Sequence, residues 1–525
     1  MSHFRGSQAD RALAALGTFF RPPTGTPDAQ RWSGQGARQR AAEREERAWA
    51  RVLGLFQEVA RDVPAYREFL AARGIAPERI TSRESFCTLP PTTKDNYYRP
   101  HPLPLLCRHG QLDSCDMVAL STGSTGEPAV WPRFVSDELE TAARFEQVLR
   151  DGFRAHERRT LAVICFALGN WVGGMYTLAC VRQLAAKGYP ITVVSPGNQP
   201  AEIVRALRAL SPHFEQRVLF GYPPFLKDVI DFAAGQGVDW SALPTRLVMA
   251  GEVFSEGWRD WVGARLGVSD VSRSTASLYG TADGGVLANE TPLSIRIRRA
   301  LSQRPDAARA LFGEARLPTL CQYDPEHRFF EVEGAGSSGS GAPHPERSGW
   351  LLFSGDGGAP LVRYKILDRG GVVGYGEMLD FLAQQGIELE SDGEAAQPAL
   401  PFVYVFGRSH FAVSFYGANV YPENVSVGIE QPEFAALLTG KFVLEVQEDA
   451  RRDAELRLTV ELARGVEGSE ELAGRIAASV RRELERLNSE FANYAPAARR
   501  TPRVELRACG DAEYFPVGVK HRYTR

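Results

Sequence analysis

The chain has 525 residues, too many for one ordinary hydrophobic core, so two or more domains are expected. With 44% hydrophobic and 24% charged residues and a formal net charge of −3, it has the composition of a soluble globular protein, without the basic face that nucleic acid demands. Its seven cysteines are odd in number and scattered, which argues against a disulfide framework and for a reducing compartment, the cytoplasm being the simplest.

Residues 1–21 contain no apolar run of signal-peptide length. Residues 22–48 are rich in Pro, Gly, Gln and Arg, so 1–47 reads as a mobile leader. From Ala48 to Gly74, apolar residues such as Trp49, Val52, Phe56 and Val59 recur at helical spacing. Cys107, His109 and Cys115 lie close enough to raise the question of a metal, but a fourth ligand is not apparent. Met117 to Leu120 and Ala129 to Phe134 read as two strands, and Ser136 as the cap of a helix with Asp137 and Glu138 in its first turn. Leu161 to Val181 carries no charge, yet Gly169, Asn170, Gly173 and Gly174 divide it into a strand and a helix rather than a membrane span. Strand-like and helix-like runs then alternate to Ala250, which predicts a mostly parallel sheet covered by helices, with ligands beyond the carboxyl ends of its strands.

Gly334, Gly336 and Gly339 match a dinucleotide pattern by letter, but no helix follows them, and the stretch to Pro345 reads as a hairpin loop. Residues 388–398 form a second, acidic loop. Beyond Phe406 a smaller α+β unit is expected, with a charge-laced helix near Ser469 to Phe491 capped by Ser469.

Between the first two strands lies Ser121-Thr122-Gly123-Ser124-Thr125-Gly126-Glu127-Pro128. Two glycines allow a tight bend with inward N–H groups, and four hydroxyls line it, a combination suited to phosphate. It lacks the Gly-Lys-Ser/Thr ending of a Walker loop, and taken alone it reads more readily as a polar hairpin turn.

The loop resembles the Ser-Ser-Gly-Thr-Thr-Gly-Lys-Pro loop of adenylate-forming enzymes, the acyl-CoA synthetases and adenylation domains. Further matches follow in that family's order: Ala250-Gly251-Glu252, Tyr279-Gly280-Thr281-Ala282-Asp283, Arg363 to Asp368, Gly407-Arg408, Gly417 to Pro422 and a basic tail at Lys520. Val63 to Arg67 and Leu89 to Lys94 are similar to the opening segment of the phenylacetate-CoA ligase branch, so the resemblance covers about residue 60 to the end. It implies an α/β fold with a large N-terminal adenylate-forming domain of α/β layers (48–406) and a smaller C-terminal α+β lid domain (407–525).

The resemblance also implies roles. Ser121, Thr122, Gly123, Ser124, Thr125 and Gly126 would hold the β- and γ-phosphates of ATP, and Thr122 and Asp283 would contact Mg²⁺, a hard cation suited to oxygen ligands. Tyr279 would lie against adenine, with Ala250, Gly251, Glu252, Gly280 and Thr281 bordering the nucleotide, and Asp368 would accept both ribose hydroxyls. Gly407 and Arg408 would mark the hinge, and Lys520 would reach the α-phosphate. Phe166, Asn170, Trp171, Gly173, Gly174 and Tyr222 are the candidates for the acyl pocket, where aromatic walls with small residues between them suit an aryl acid.

Departures from the family pattern are specific. Asp283 stands where most members have Glu, Glu127 where the loop usually has Lys, and His410 where the hinge usually has Asp; Ser414 and Tyr416 also depart, and Val519 separates Lys520 from Gly518. The expected chemistry is ATP-dependent activation of a small carboxylic acid, followed by transfer to coenzyme A. Carrier-protein phosphopantetheine or an amine is the alternative acceptor, and an acyl carrier protein an alternative partner. A non-catalytic nucleotide- or carrier-binding module is the rival of another class, and a homodimer is left open; neither nucleic acid nor membrane is an expected partner.

Overall fold

The computed structural model describes residues 12–20, 35–120, 129–169, 172–314, 316–334, 348–389, 399–407, 413–416, 418–448, 454–488, 491–492, 495–516 and 521–524. Two short strands, β1 (Met117–Leu120) and β2 (Val130–Arg133), pair antiparallel in the register Met117 to Arg133 and Leu120 to Val130. The large domain is then built on one eleven-stranded sheet. In chain order its members are β3 (Thr160–Ile164), β4 (Ile191–Val194), β5 (Gln216–Gly221), β6 (Thr245–Ala250), β7 (Thr275–Thr281), β8 (Gly285–Asn289), β9 (Thr319–Gln322), β10 (Phe329–Glu333), β11 (Gly349–Gly355), β12 (Leu361–Val373) and β13 (Phe402–Gly407). Their spatial order is β10-β11-β12-β13-β9-β8-β7-β6-β5-β3-β4.

The five strands β4-β3-β5-β6-β7 are parallel, and every pairing from β7 through β8, β9, β13, β12 and β11 to β10 is antiparallel. The expectation of a mostly parallel sheet therefore holds only for the segment up to β7. Near-continuous apolar runs explain why this half is covered on both faces. Ala162, Ile164, Val218, Phe220 and Val248 pack with Leu139, Phe145 and Val181 of the helices Val135–Gln147 and Val172–Ala186. Leu161, Val163, Leu219 and Leu247 face the other way, toward Ile203, Leu207, Ile230 and Val262 of the helices Pro200–Leu210, Pro223–Gly235 and Glu256–Arg265.

Two local expectations are corrected. The helix after β2 starts at Val135 with Phe134 as its N-cap residue, whose N–H donates to the Asp137 carboxylate at 2.8 Å, so Ser136 lies inside the first turn and is not the cap. The segment read as a leader is helical from Gln35, in a single helix running to Asp62; Ala37 is buried and Arg38 pairs with Asp380 at 2.8 Å, so residues 35–47 belong to the large domain. Residues 12–20 also attach to it, through the buried Phe19 ring under Lys187. Among the described residues, no helix is long and apolar enough to cross a membrane, and no three His, Cys, Asp or Glu side chains are grouped to hold a metal.

The smaller unit has the hairpin β14 (Val413–Phe415) and β15 (Ala418–Val420), the sheet β16 (Leu438–Glu448), β17 (Ala454–Leu462) and β18 (Arg503–Arg507), and the helices Pro422–Ile429 and Glu470–Leu487. Ser469 caps the second helix, accepting from Leu472 N at 3.1 Å. Gly428 lets the helices touch, since a Cβ there would lie 2.6 Å from Val480 Cα. Polar pairs join the two units. Lys441 Nζ lies 2.5 Å from Asp228 and 3.4 Å from Glu461, Tyr523 donates to Glu252 at 3.2 Å, and Ser255 donates to Glu430. Arg316 pairs with Glu423 at 3.3 Å and lies over the Tyr421 ring.

Two predictions follow from buried charge. Arg259, fully buried, donates to Glu290 at 2.7 Å, Glu256 at 3.0 Å and Thr275 at 2.6 Å, tying three elements of the large domain. Arg259→Met strands Glu290 in the core and lowers stability by about 3–5 kcal/mol, read by chemical denaturation. Burial pushes the Glu430 carboxyl up to about 7, so between its ordinary value near 4.5 and 7 the folded chain binds more protons than the unfolded one, and stability falls as pH rises through that window. Glu430→Gln removes this fall, which calorimetric melts at pH 5 and pH 8 measure.

Candidate active site

The parallel strands deliver their carboxyl ends to one edge of the sheet, where the family-like motifs lie. Tyr279 near the end of β7 donates its hydroxyl to Asp368 Oδ2 at 2.8 Å, and its ring stacks on Phe330 with centroids 6.3 Å apart. Asp368 sits in a disturbed stretch of β12. Between the pairs Trp350–Arg369 and Leu352–Lys365, β12 carries more residues than β11, and Leu367 takes up the excess at φ +68°. A non-glycine residue in that conformation costs about 1–3 kcal/mol, and here it accompanies the turn of Asp368 toward Tyr279.

Asp283 follows β7 in the turn to β8. It is 4% exposed, and both oxygens are engaged: Tyr364 donates to Oδ2 at 2.7 Å, and Lys94 Nζ lies 3.2 Å from Oδ1. Lys94 gets there because Thr92 extends β12 as an added strand position. Thr92 N donates to Arg363 O at 3.1 Å, Lys365 N donates to Thr92 O at 2.8 Å, and Thr92 Oγ1 donates to Val362 O at 2.9 Å. The turn itself is braced by Thr281 Oγ1, which accepts from Gly284 N at 3.1 Å, and Gly280 is needed because a Cβ would meet Gly285 O at 2.8 Å.

A second group forms at the ends of β5 and β6. The Tyr222 ring meets Phe166 edge-on, with centroids 5.0 Å apart, and lies over Gly251, where a Cβ would fall 2.8 Å from Tyr222 Cε1. Gly251 adopts φ +85°, open to glycine, and lies between Ala250 and Glu252. A Cβ on Gly173 would stand 3.5 Å from both Phe166 and the Tyr222 hydroxyl, so Phe166, Gly173, Tyr222 and Gly251 are neighbours. Gly174 differs: its Cβ position is taken by Ala167 O at 2.1 Å, so it packs closely against backbone. Burial raises the Tyr222 hydroxyl above its ordinary value and keeps it a donor at neutral pH.

Ser121, Thr122, Gly123, Ser124, Thr125, Gly126, Asn170, Trp171, Arg408, His410 and Lys520 lie outside the described residues. Three side chains near Asp283 were not singled out from the sequence: Lys94, Tyr364 and Arg133, whose guanidinium donates to the carbonyls of Ala282 and Asp283. Lys94 and Tyr364 fall inside quoted motifs, but only the fold turns them toward this carboxylate. Arg133 carries no motif signal.

No protein-family model and no curated sequence matches the chain. Among solved structures, the chain is similar to 2-hydroxyisobutyryl-CoA ligase in the postadenylation state in complex with R3-HIB-AMP, at 15% identity and TM-score 0.66, covering 96% of this chain and 94% of that one. The same ligase in complex with 2-HIB-AMP, also in the postadenylation state, gives a TM-score of 0.65 at 15% identity over 92% and 90%. With 2-HIB-AMP and CoA in the thioesterification state it gives 0.52 at 15% identity over 96% of each chain. From its large mixed sheet to its smaller C-terminal unit, the chain has the fold of the adenylate-forming acyl-CoA ligases.

Proposed function

We propose that the chain is an AMP-forming acid–thiol ligase that joins a small aryl carboxylic acid to coenzyme A. The observation that carries this reading is the meeting, at the carboxyl end of β7, of the Tyr279–Asp368 pair and the buried Asp283 on a fold shared with CoA ligases. In the first step a carboxylate oxygen attacks the α-phosphorus of ATP, the bond from that phosphorus to the pyrophosphate oxygen breaks, and acyl-AMP and pyrophosphate result. In the second, a thiolate attacks the acyl carbon and AMP leaves with the bonding pair.

Each residue then has a task. Asp368 accepts the ribose hydroxyls, Tyr279 presents its ring to adenine and keeps Asp368 oriented, and the Ser121 to Gly126 loop receives the β- and γ-phosphates. Lys520 supplies positive charge where the α-phosphate gains negative charge in the transition state. Phe166 and Tyr222, which meet edge-on, and Gly173 beside both give an aromatic surface with a small neighbour, suited to an aryl acid.

Asp283 fits a magnesium ion. Each oxygen accepts from one side chain, Tyr364 or Lys94, and an ionised carboxylate has further lone pairs for a cation or its water. Asp283 and Thr122 would hold it, and when bound it neutralises charge on the phosphate oxygens. Lys94, from the opening segment, sets one positive charge beside the Asp283 carboxylate.

Two measurements test the reading. Pyrophosphate–ATP exchange over a panel of acids is expected with aryl acids, and Lys520→Ala lowers it by about 10²–10³-fold while nucleotide still binds. Silence across the panel from a chain that binds nucleotide would leave a binding module instead. Tyr279→Phe removes the hydroxyl that orients Asp368 and weakens nucleotide binding by about 1 kcal/mol, roughly fivefold, in calorimetric titration.

A further inference from the structure

The turn Thr281 to Gly285 presents three consecutive carbonyls, of Ala282, Asp283 and Gly284, to the protein interior, where each needs a donor. Two buried arginines supply them. Arg133, 5% exposed, donates through one nitrogen to Asp283 O at 3.1 Å and through another to Ala282 O; Arg328, 5% exposed, reaches Gly284 O at 3.4 Å while pairing with Glu140 at 2.6 Å. Arg133 is the last residue of β2, the strand that returns from the Ser121 to Pro128 loop. One rigid fork therefore runs from the hairpin bearing that loop to the peptide of Asp283 itself.

The strand is held from behind as well. Asp137 accepts from Phe134 N at 2.8 Å and Gly358 N at 2.9 Å, and a Cβ on Gly358 would fall 2.7 Å from the Pro132 carbonyl carbon and 2.8 Å from Arg133 N. The segment before β12 thus presses directly on β2, and the guanidinium has a fixed base. Burial pushes the Asp137 carboxyl up to about 6, against the nearby charges of Arg133 and Arg328, which favour its ionised form.

We infer that Arg133 is a positioning residue for the nucleotide–magnesium end of the site, fixing the Asp283 turn against the hairpin that bears the Ser121 to Pro128 loop. The inference rests on the ligase reading for its kinetic consequence, though not for its structural one. A lysine cannot replace the fork, because a point charge on a flexible stem cannot serve two adjacent carbonyls in one geometry.

Arg133→Gln and Arg133→Lys, compared with the full-length wild type, test it by hydrogen exchange and steady-state kinetics. Expected are faster amide exchange confined to residues 281–286, and a KM for MgATP raised about 10- to 100-fold while the KM for the acid stays within threefold, in Lys as well as Gln. Wild-type exchange at 281–286 in either folded variant overturns the inference. So does a loss of melting temperature with the MgATP KM unchanged, which marks Arg133 as purely structural. Failure of the ligase reading looks different: the wild type itself neither exchanges pyrophosphate nor binds nucleotide, and exchange at 281–286 alone then decides for or against Arg133.

Discussion

A carboxylate that is 4% exposed has to be neutralised by its surroundings, and the large domain is arranged so that Asp283 is. Its partners come from widely separated parts of the chain: Tyr364 from β12, Lys94 from the opening segment, and the backbone brace of Arg133 from β2. The Lys94 contact draws on the pairing of Thr92 with β12, and the same strand carries Tyr364 and Asp368, the partners of Asp283 and Tyr279. β12 therefore joins the two halves of the candidate nucleotide site.

The junction between the two units obeys a different economy. Its described contacts are charged or hydroxyl pairs, Lys441 with Asp228, Tyr523 with Glu252, Ser255 with Glu430 and Arg316 with Glu423. Lys441 is held from both sides, because Glu461 of its own unit lies within 3.4 Å; losing Asp228 would still leave its charge paired. Interfaces of this polar kind separate at lower cost than apolar ones, since water can replace each partner. A hinge near Gly407 would act on such an interface.

How much of this was legible depended on whether the signal was local. Apolar runs such as Leu161 to Phe166 and Arg246 to Ala250 read directly as strands, and Ser469 as a cap, because neighbours along the chain determine those features. The place of the last strand was not legible: β13 inserts between β12 and β9, and its pairing with β9 joins residues 80 to 86 apart in the chain. The helix begins one residue before Ser136 because the Asp137 carboxylate reaches back to the N–H of Phe134, a choice that identity at one position does not settle. The helix from Gln35 was obscured because its apolar face is sparse, and its place is set by ion pairs such as Arg38–Asp380. Motif residues could be named from their letters, whereas Lys94 and Arg133 acquire meaning only through what the fold puts beside them.

Gly251 is the point at which two candidate pockets share a wall. On one side its backbone follows the end of β6, where the proposed nucleotide edge lies, and on the other it supports the Tyr222 ring at a distance that leaves no room for a methyl group. Under the proposed function, a change at Tyr222 would disturb the support of that edge, and a side chain at 251 would push the ring toward the acid. Acid preference and nucleotide affinity would then be linked traits, and lineages or libraries that shift one would have to move both together.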